Sequence, residues 1–411
     1  MKNIETIIVG GGQAGLVTSY YLTQNGNEHV VLERSGKAAS SWRDRSWDSF
    51  TLVTPNWAFR IPGAELGNAG RDDFMPRKRV IDFFESYVSK YELPVKYNTR
   101  VKSVEAANPE GFIIQTNEES YRSKNVIIAT GFFQQPRVPG FAKNIPPNIR
   151  QLHSSEYRSP ELISDGAILV IGSGQSGSQI TEELYQAGRK VFFSVGTAGR
   201  APRRYRGKDI IEWLLIAGFF DLTPEQLPPG MGKFDGVPHL SGTKGGHTIS
   251  LHQFARDGVT LLGHLQDVID DKISIAADLH ENLKIADLFE QDATSMIDGY
   301  IRQNELDAPV EELIQYNDGY SQLIIEELSF KKETINTVIW ATGYTFDYSL
   351  VKLPVFDNDG FPVQSHGVTN YRGLYFVGLP WMPDEKSGFL IGVGDSARYI
   401  ASRISETAVH H

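Results

Sequence analysis

Apolar and polar positions fall in blocks along the chain, and two of the apolar blocks are punctuated in the same way. Ile7, Ile8 and Val9 run into Gly10, Gly12 and Gly15, while Ile168 to Ile171 run into Gly172, Gly174 and Gly177. Short β-branched runs of this kind predict strands buried on both faces of a parallel sheet. A glycine turn then leads into a helix, and a second apolar run follows in each unit. That run is Val30-Val31-Leu32, closing on Glu33, in the first unit, and Val191-Phe192-Phe193, closing on Ser194, in the second. Helical periodicity recurs over about 77–90, with Val80, Phe83, Phe84, Tyr87 and Val88 on one face, and over about 281–305 and 395–406. The segments NVIIATG (125–131) and TVIWATG (ending at Gly343) are apolar strands that both close on Ala-Thr-Gly, so the chain is expected to cross between two units twice. From 200 to 250 no regular pattern emerges, except that IIEWLLIAGFF (210–220) reads as a buried helix or channel wall. It is about half a membrane span and carries Glu212.

The glycine spacing has a chemical reading. In G-x-G-x-x-G the first glycine makes the turn, the second lets a pyrophosphate approach the backbone, and the third lets the helix pack against the strand. The helix N-terminus then offers free N–H groups to the phosphates. Glu33 follows Gly15 by 18 residues, where a carboxylate grips a ribose hydroxyl pair. Ser194 removes that acid, which admits a 2′-phosphate. Arg200, Arg203, Arg204, Arg206 and Lys208 crowd just beyond it, and arginine forks suit phosphate. The expectation is FAD at Gly10, Gly12, Gly15 and Glu33, and NADPH at Gly172, Gly174, Gly177, Ser194 and the arginines. Gly131, ending the first Ala-Thr-Gly strand, is expected to let backbone come close to the first nucleotide. The fold class is α/β, with two doubly wound Rossmann-like nucleotide-binding domains in a glutathione-reductase-like layout. The FAD domain is expected at 1–160 and 335–411, with the NADPH domain (161–334) inserted.

Composition narrows the chemistry. The chain has 411 residues, 40% of them hydrophobic, and a net charge of −10, which argues against a nucleic-acid surface or a polybasic membrane anchor. Strand one begins by Ile4, which leaves no room for a leader, so a cytoplasmic protein is expected. His239, His247, His252 and His264 lack ligand spacing, and no metal is expected. His410 and His411 read as the stub of a purification tag. Cysteine is absent altogether, so electrons leaving a flavin here cannot pass to a redox-active cysteine pair.

With these features the chain resembles the class B flavoprotein monooxygenases, the flavin-containing monooxygenase group, and more narrowly its bacterial YUCCA-like members. The resemblance rests on both fingerprints, both Ala-Thr-Gly strands, RQLHSSEY with His153 and Tyr157, SSWRDRSWDSFTLVTP, and the closing GLYFVGLPWMPDEKSGFLIGVGDSARYIA. It implies that NADPH reduces FAD, that the reduced flavin takes up O2 as a 4a-hydroperoxide, and that an oxygen atom passes to a small organic substrate, with amine nitrogen or sulfide sulfur favoured. It further implies Trp42 and Arg43 along FAD, Val101 near the adenine, and Arg200 and Arg204 on NADPH. Asn56, after Pro55 in LVTPN, is the candidate for steadying the hydroperoxide. The bland reading of Asn56 is a turn residue, and that of His153 a holder of the angle between the domains. Trp42, Trp47, Trp57 and Trp381 line a cavity or fill core. Pro147 and Ile149 stand where the family linker has Phe and Gly, and the RIPGAELGN loop and Tyr157 fit a Baeyer–Villiger pattern poorly. A Baeyer–Villiger enzyme, an NAD(P)H oxidase releasing H2O2 and a non-catalytic redox-sensing flavoprotein are the rivals. A homo-oligomer is compatible with all of them.

Overall fold

The computed structural model describes residues 1–64, 66, 70–226 and 238–409, with side chains to 406. Its regular elements appear where the apolar blocks placed them. The first unit contains β1 (Thr6–Val9), α1 (Gln13–Gln24), β2 (His29–Leu32), α2 (Arg77–Lys90), β3 (Val95–Lys96) and β4 (Asn125–Ile128). The second contains β5 (Arg150–His153), β6 (Ala167–Ile171), α3 (Gln175–Gln186), β7 (Val191–Ser194), β8 (Thr260–Leu262), α4 (Leu279–Gln303) and β9 (Ile335–Trp340). The chain then returns to the first sheet with β10 (Leu374–Phe376) and closes on α5 (Val393–Val409).

Two five-stranded sheets result, ordered β10-β4-β1-β2-β3 and β5-β9-β6-β7-β8, and every pairing within them is parallel. In each, the strand before the glycines is central, the second apolar run lies on one side, and the Ala-Thr-Gly strand lies on the other. Ile7 and Ile8 of β1 and Ile168 to Val170 of β6 have no exposed surface, as strands covered on both faces require. A small sheet accompanies each unit: Val101–Ala106, Phe112–Thr116 and Ser120–Ser123, antiparallel, with Lys2–Asn3 added in parallel at the edge, in the first, and the antiparallel Leu265–Ile269, Lys272–Ile275 and Glu327–Ser329 in the second.

After β4 and after β9 the chain leaves its sheet, and the two departing segments pair antiparallel, Gln135–Pro136 with Tyr344–Thr345. This is the double crossing expected from the two Ala-Thr-Gly phrases. The expected helix over 210–220 is corrected to Ile210–Ile216, because Gly218 takes φ +77° and a separate short turn, Phe219–Asp221, follows. Within 200–250 the described residues form two small hairpins, Arg204–Tyr205 with Lys208–Asp209 and Leu240–Ser241 with His247–Thr248. Residues 227–237 of that stretch, residues 65 and 67–69 of the RIPGAELGN loop, and the expected tag stub His410-His411 lie outside the described residues.

Candidate nucleotide cradles and the cleft between them

The two fingerprints fold into matching cradles. Gly10 and Gly172 have φ +110° and +102°, and a Cβ on either would stand 2.6 Å from a carbonyl oxygen, that of Ala129 or Ala341. A Cβ on Gly15 or Gly177 would overlap the carbonyl oxygen of Gly10 or Gly172. Only the middle glycines, Gly12 and Gly174, face open space. Both are helix N-caps without side-chain caps, and neither helix has an acid in its first turn. Unsatisfied N–H groups and the positive end of the helix dipole therefore open onto that space, which is the environment a pyrophosphate requires.

The Ala-Thr-Gly phrase supplies the rear wall of each cradle. Ala129 donates its amide to Val9 (2.9 Å) and Ala341 donates to Ile171 (2.8 Å), so each alanine backs directly onto its glycine turn. Gly131 and Gly343 then turn the chain away at φ +76° and +80°, with open space before them. The residue inside each fingerprint that the motif alone does not single out, although it repeats, is a glutamine. Gln13 donates from Nε2 to the Gly388 carbonyl (2.7 Å), while Gln175 bonds both backbone groups of Leu240, accepting from its amide at 3.0 Å. Each glutamine thus draws a late loop onto its cradle.

The cradles part company at the acid. Glu33 is buried, and its carboxylate accepts from the amides of Gly11 (2.6 Å) and Ser35 (2.8 Å). Beside it opens a cleft of about 460 Å³ lined by Arg34, Ser35, Ser40, Asn98, Arg100 and Asn117, among others. Arg34 is held below the usual guanidinium range by burial and by repulsion from Arg45. Val101 follows Arg100 of this wall and is half-buried. Trp42 stacks on Phe84 with centroids 5.1 Å apart. Arg43 is tied to Glu85 and the Ala38 carbonyl, so its guanidinium serves the packing of the Ser40–Arg45 helix. Asn56 is 8% exposed, with Nδ2 donating to the Gly70 carbonyl (2.8 Å) and Oδ1 buried without a partner.

In the second unit the Ser194 hydroxyl is buried and donates to Gly263 (2.9 Å). The arginine cluster is not the open phosphate comb that its density suggested. Arg200 is 4% exposed and pairs with Glu290 (2.7 Å) and Asp287 (3.1 Å), because the following backbone turns it under α4. Arg203 is bound by Asp209, Arg206 by Asp298, and Lys208 by Glu212. Of the five cations, Arg204 alone bonds only carbonyls, those of Gly245 and Gly246 (3.0 Å each), at an exposed position. The four histidines stand apart. His247 pairs with Glu182, His252 with Asp287 and His264 with Asp278, while His239 is fully buried and its ring is pushed down to about 4 by desolvation. His153 donates from Nε2 to the Gly343 carbonyl (3.0 Å), and burial holds its ring below the usual range, so it acts as a neutral tie at the crossing. Among the described residues no helix is long and apolar enough to cross a membrane.

Comparison with known proteins agrees with this geometry. Residues 7–213 match the model of the family described as pyridine nucleotide-disulphide oxidoreductase. The chain is 31% identical to the uncharacterized oxidoreductase CzcO of Bacillus subtilis (strain 168) over 98% of this chain and 99% of that protein. It is 29% identical to the probable indole-3-pyruvate monooxygenase YUCCA10 of Arabidopsis thaliana over 50% of this chain and 54% of that one. Among solved structures it shares the fold of a flavin-containing monooxygenase from Stenotrophomonas maltophilia, with TM-score 0.66, 20% identity, and coverage of 99% and 100% of the two chains.

Proposed function

Because the chain belongs to the pyridine nucleotide-disulphide oxidoreductase family yet contains no cysteine, we propose that it is a flavoprotein monooxygenase. In this reading it uses NADPH, FAD and O2 in the cytoplasm to oxygenate a small organic molecule at nitrogen or sulfur. The observation that carries the reading is the pair of matched, open cradles in a chain with no thiol to receive electrons. Two dinucleotides would dock there, and with no thiol relay in the chain O2 would serve as the acceptor. Two likenesses support it: the fold shared with the Stenotrophomonas flavin-containing monooxygenase, and the half-chain match to the plant monooxygenase.

Gly10, Gly12, Gly15 and Gly131 would hold the FAD backbone, and Glu33, with Gly11 and Ser35 fixing its rotamer, would take the ribose. The cationic cleft beside Arg34 and Arg100, with Val101 next in the chain, would receive the adenosine end. Gly172, Gly174 and Gly177 would hold NADPH, with Arg204 the cation free to turn to its 2′-phosphate and Ser194 leaving room for it. Arg200 would act from behind, by fixing the turn. Bound FAD supplies hydride acceptance and activation of O2; the protein supplies orientation and exclusion of water. The expected boundaries at 160 and 335 would shift, because Arg150–His153 and Ile335–Trp340 pair within the second sheet; the first unit would then end before Arg150 and resume after Trp340, with the second between. The test is the absorbance spectrum of the purified protein, then anaerobic reduction by NADPH, then admission of air with and without an amine or sulfide. Flavin that reoxidises with oxygenated product supports the reading. Colourless protein that refuses reconstitution overturns it, and stoichiometric H2O2 with every substrate makes it an oxidase.

A further inference from the structure

Glu385 is the least explained carboxylate among the described residues. It is 8% exposed, and its Oε2 is fully buried with no hydrogen-bond partner. An unpaired carboxylate in such a place is strongly disfavoured unless it takes a proton or something arrives to pair with it. The residue opens the short turn Glu385–Gly388, and that turn is pinned from two sides. On one side Gln13 of the first glycine fingerprint holds the Gly388 carbonyl (2.7 Å), and Gly378 packs against Ala14. On the other, the Glu385 amide donates to the Leu222 carbonyl (3.3 Å), at the end of the apolar segment that begins at Ile210. The turn that Glu385 opens therefore lies between the first glycine fingerprint and the chain that follows the Ile210–Ile216 helix.

Its charged neighbours do not neutralise it. Asp384 adds repulsion, and Lys386 is turned to Asp221 and to Asp384 (3.6 Å). On α5, Asp395 faces Lys386. Desolvation, then Asp384, push the Glu385 carboxyl up to about 7.

We propose that Glu385 is a substrate-binding residue whose missing partner is the ammonium group of an amine substrate, and that it takes that group's proton. The inference rests on the monooxygenase reading above and names the substrate class for it. In the proton step one N–H bond breaks and one O–H bond forms on the carboxylate. No electrons change hands, and the nitrogen keeps a neutral lone pair. A carboxyl poised near neutrality suits this exchange, because it is ionised when the amine enters and readily holds the proton afterwards.

The test compares the flavin-loaded wild type with Glu385→Gln, which keeps shape and removes charge. A series of primary, secondary and tertiary arylalkyl amines is titrated, each beside the thioether of the same shape, with binding read by perturbation of the flavin absorbance and by calorimetry across pH. The expected result is that at least one amine binds the wild type more tightly than its thioether, and that Glu385→Gln weakens that amine roughly thirtyfold or more. The thioethers should be unchanged. Infrared difference spectra should also show a carboxyl of the wild type gaining a proton when the amine binds, a band missing in the variant. If no amine is preferred over its thioether, or if Glu385→Gln binds amines as well as the wild type at equal flavin content, the proposal is overturned. Absence of flavin in the wild type itself would instead overturn the monooxygenase reading.

Discussion

The Glu33 carboxylate accepts a 2.6 Å hydrogen bond from the Gly11 amide, so the end of β2 is bonded to the turn after β1. One side chain thereby fixes the width of the first cradle while keeping lone pairs for a ribose. Glu33→Ala is expected to leave the Gly11 and Ser35 amides without acceptors, costing about 1–3 kcal/mol of apoprotein stability. It should also weaken FAD roughly tenfold or more, read by denaturant melts and by flavin retained after dialysis.

The glycines should separate by position. Gly12→Ala and Gly174→Ala meet nothing, so apoprotein stability is expected to hold within about 1 kcal/mol while binding is lost, of FAD in the first and of NADPH in the second. Gly15→Ala and Gly177→Ala push a methyl into a carbonyl and should cost at least about 1–3 kcal/mol before any ligand is added. Melting of the apoprotein beside calorimetric titration distinguishes the two classes.

Arg200 and Arg204 should also differ. Arg200→Ala leaves Glu290 and Asp287 without their buried cation, and a loss of about 3–5 kcal/mol in urea unfolding is expected. Arg204→Ala should unfold within about 0.5 kcal/mol of the wild type. Its effect should be a roughly tenfold loss of NADPH affinity with NADH affinity unchanged, since one charge-assisted bond is removed.

Glu385 gives stability a pH dependence of known sign. Its folded-state carboxyl is raised from 4.5 to about 7, so the folded chain holds a proton that the unfolded chain has released. That contribution is complete below pH 4.5 and is lost as pH rises through about 7. Relative to Glu385→Gln, the wild type should lose on the order of 1 kcal/mol per pH unit across that window, read by unfolding curves at several pH values.

Much of the fold was legible because buried parallel strands are continuous apolar runs and amphipathic helices keep their period. The 77–90 pattern became Arg77–Lys90 to the residue. The glycine spacing likewise foreshadowed the shape of both turns, because the first and third glycines of each answer a steric demand while the middle one faces open space. The arginines misled because charge density in sequence says nothing of what faces it. Glu290 and Asp287 lie on a helix about 90 residues later, and only folding brings them under Arg200. Glu385 was invisible for the same reason: its turn is pinned by Leu222 and Gln13, which are distant in the chain. Gln13 and Gln175 could have been found, since a polar residue repeated at one place in both fingerprints had no role in the motif itself.

The antiparallel pairing of Gln135–Pro136 with Tyr344–Thr345 has a mechanical consequence. The two covalent connections between the sheets form a two-ply strap, laced by Gln134 to Thr345 and by Arg137 to Gly343. Splaying one ply alone would tear those bonds, whereas twisting both together would spare them. Sliding of one unit along the other is therefore opposed at the crossing itself, by the bonds that lace the two plies.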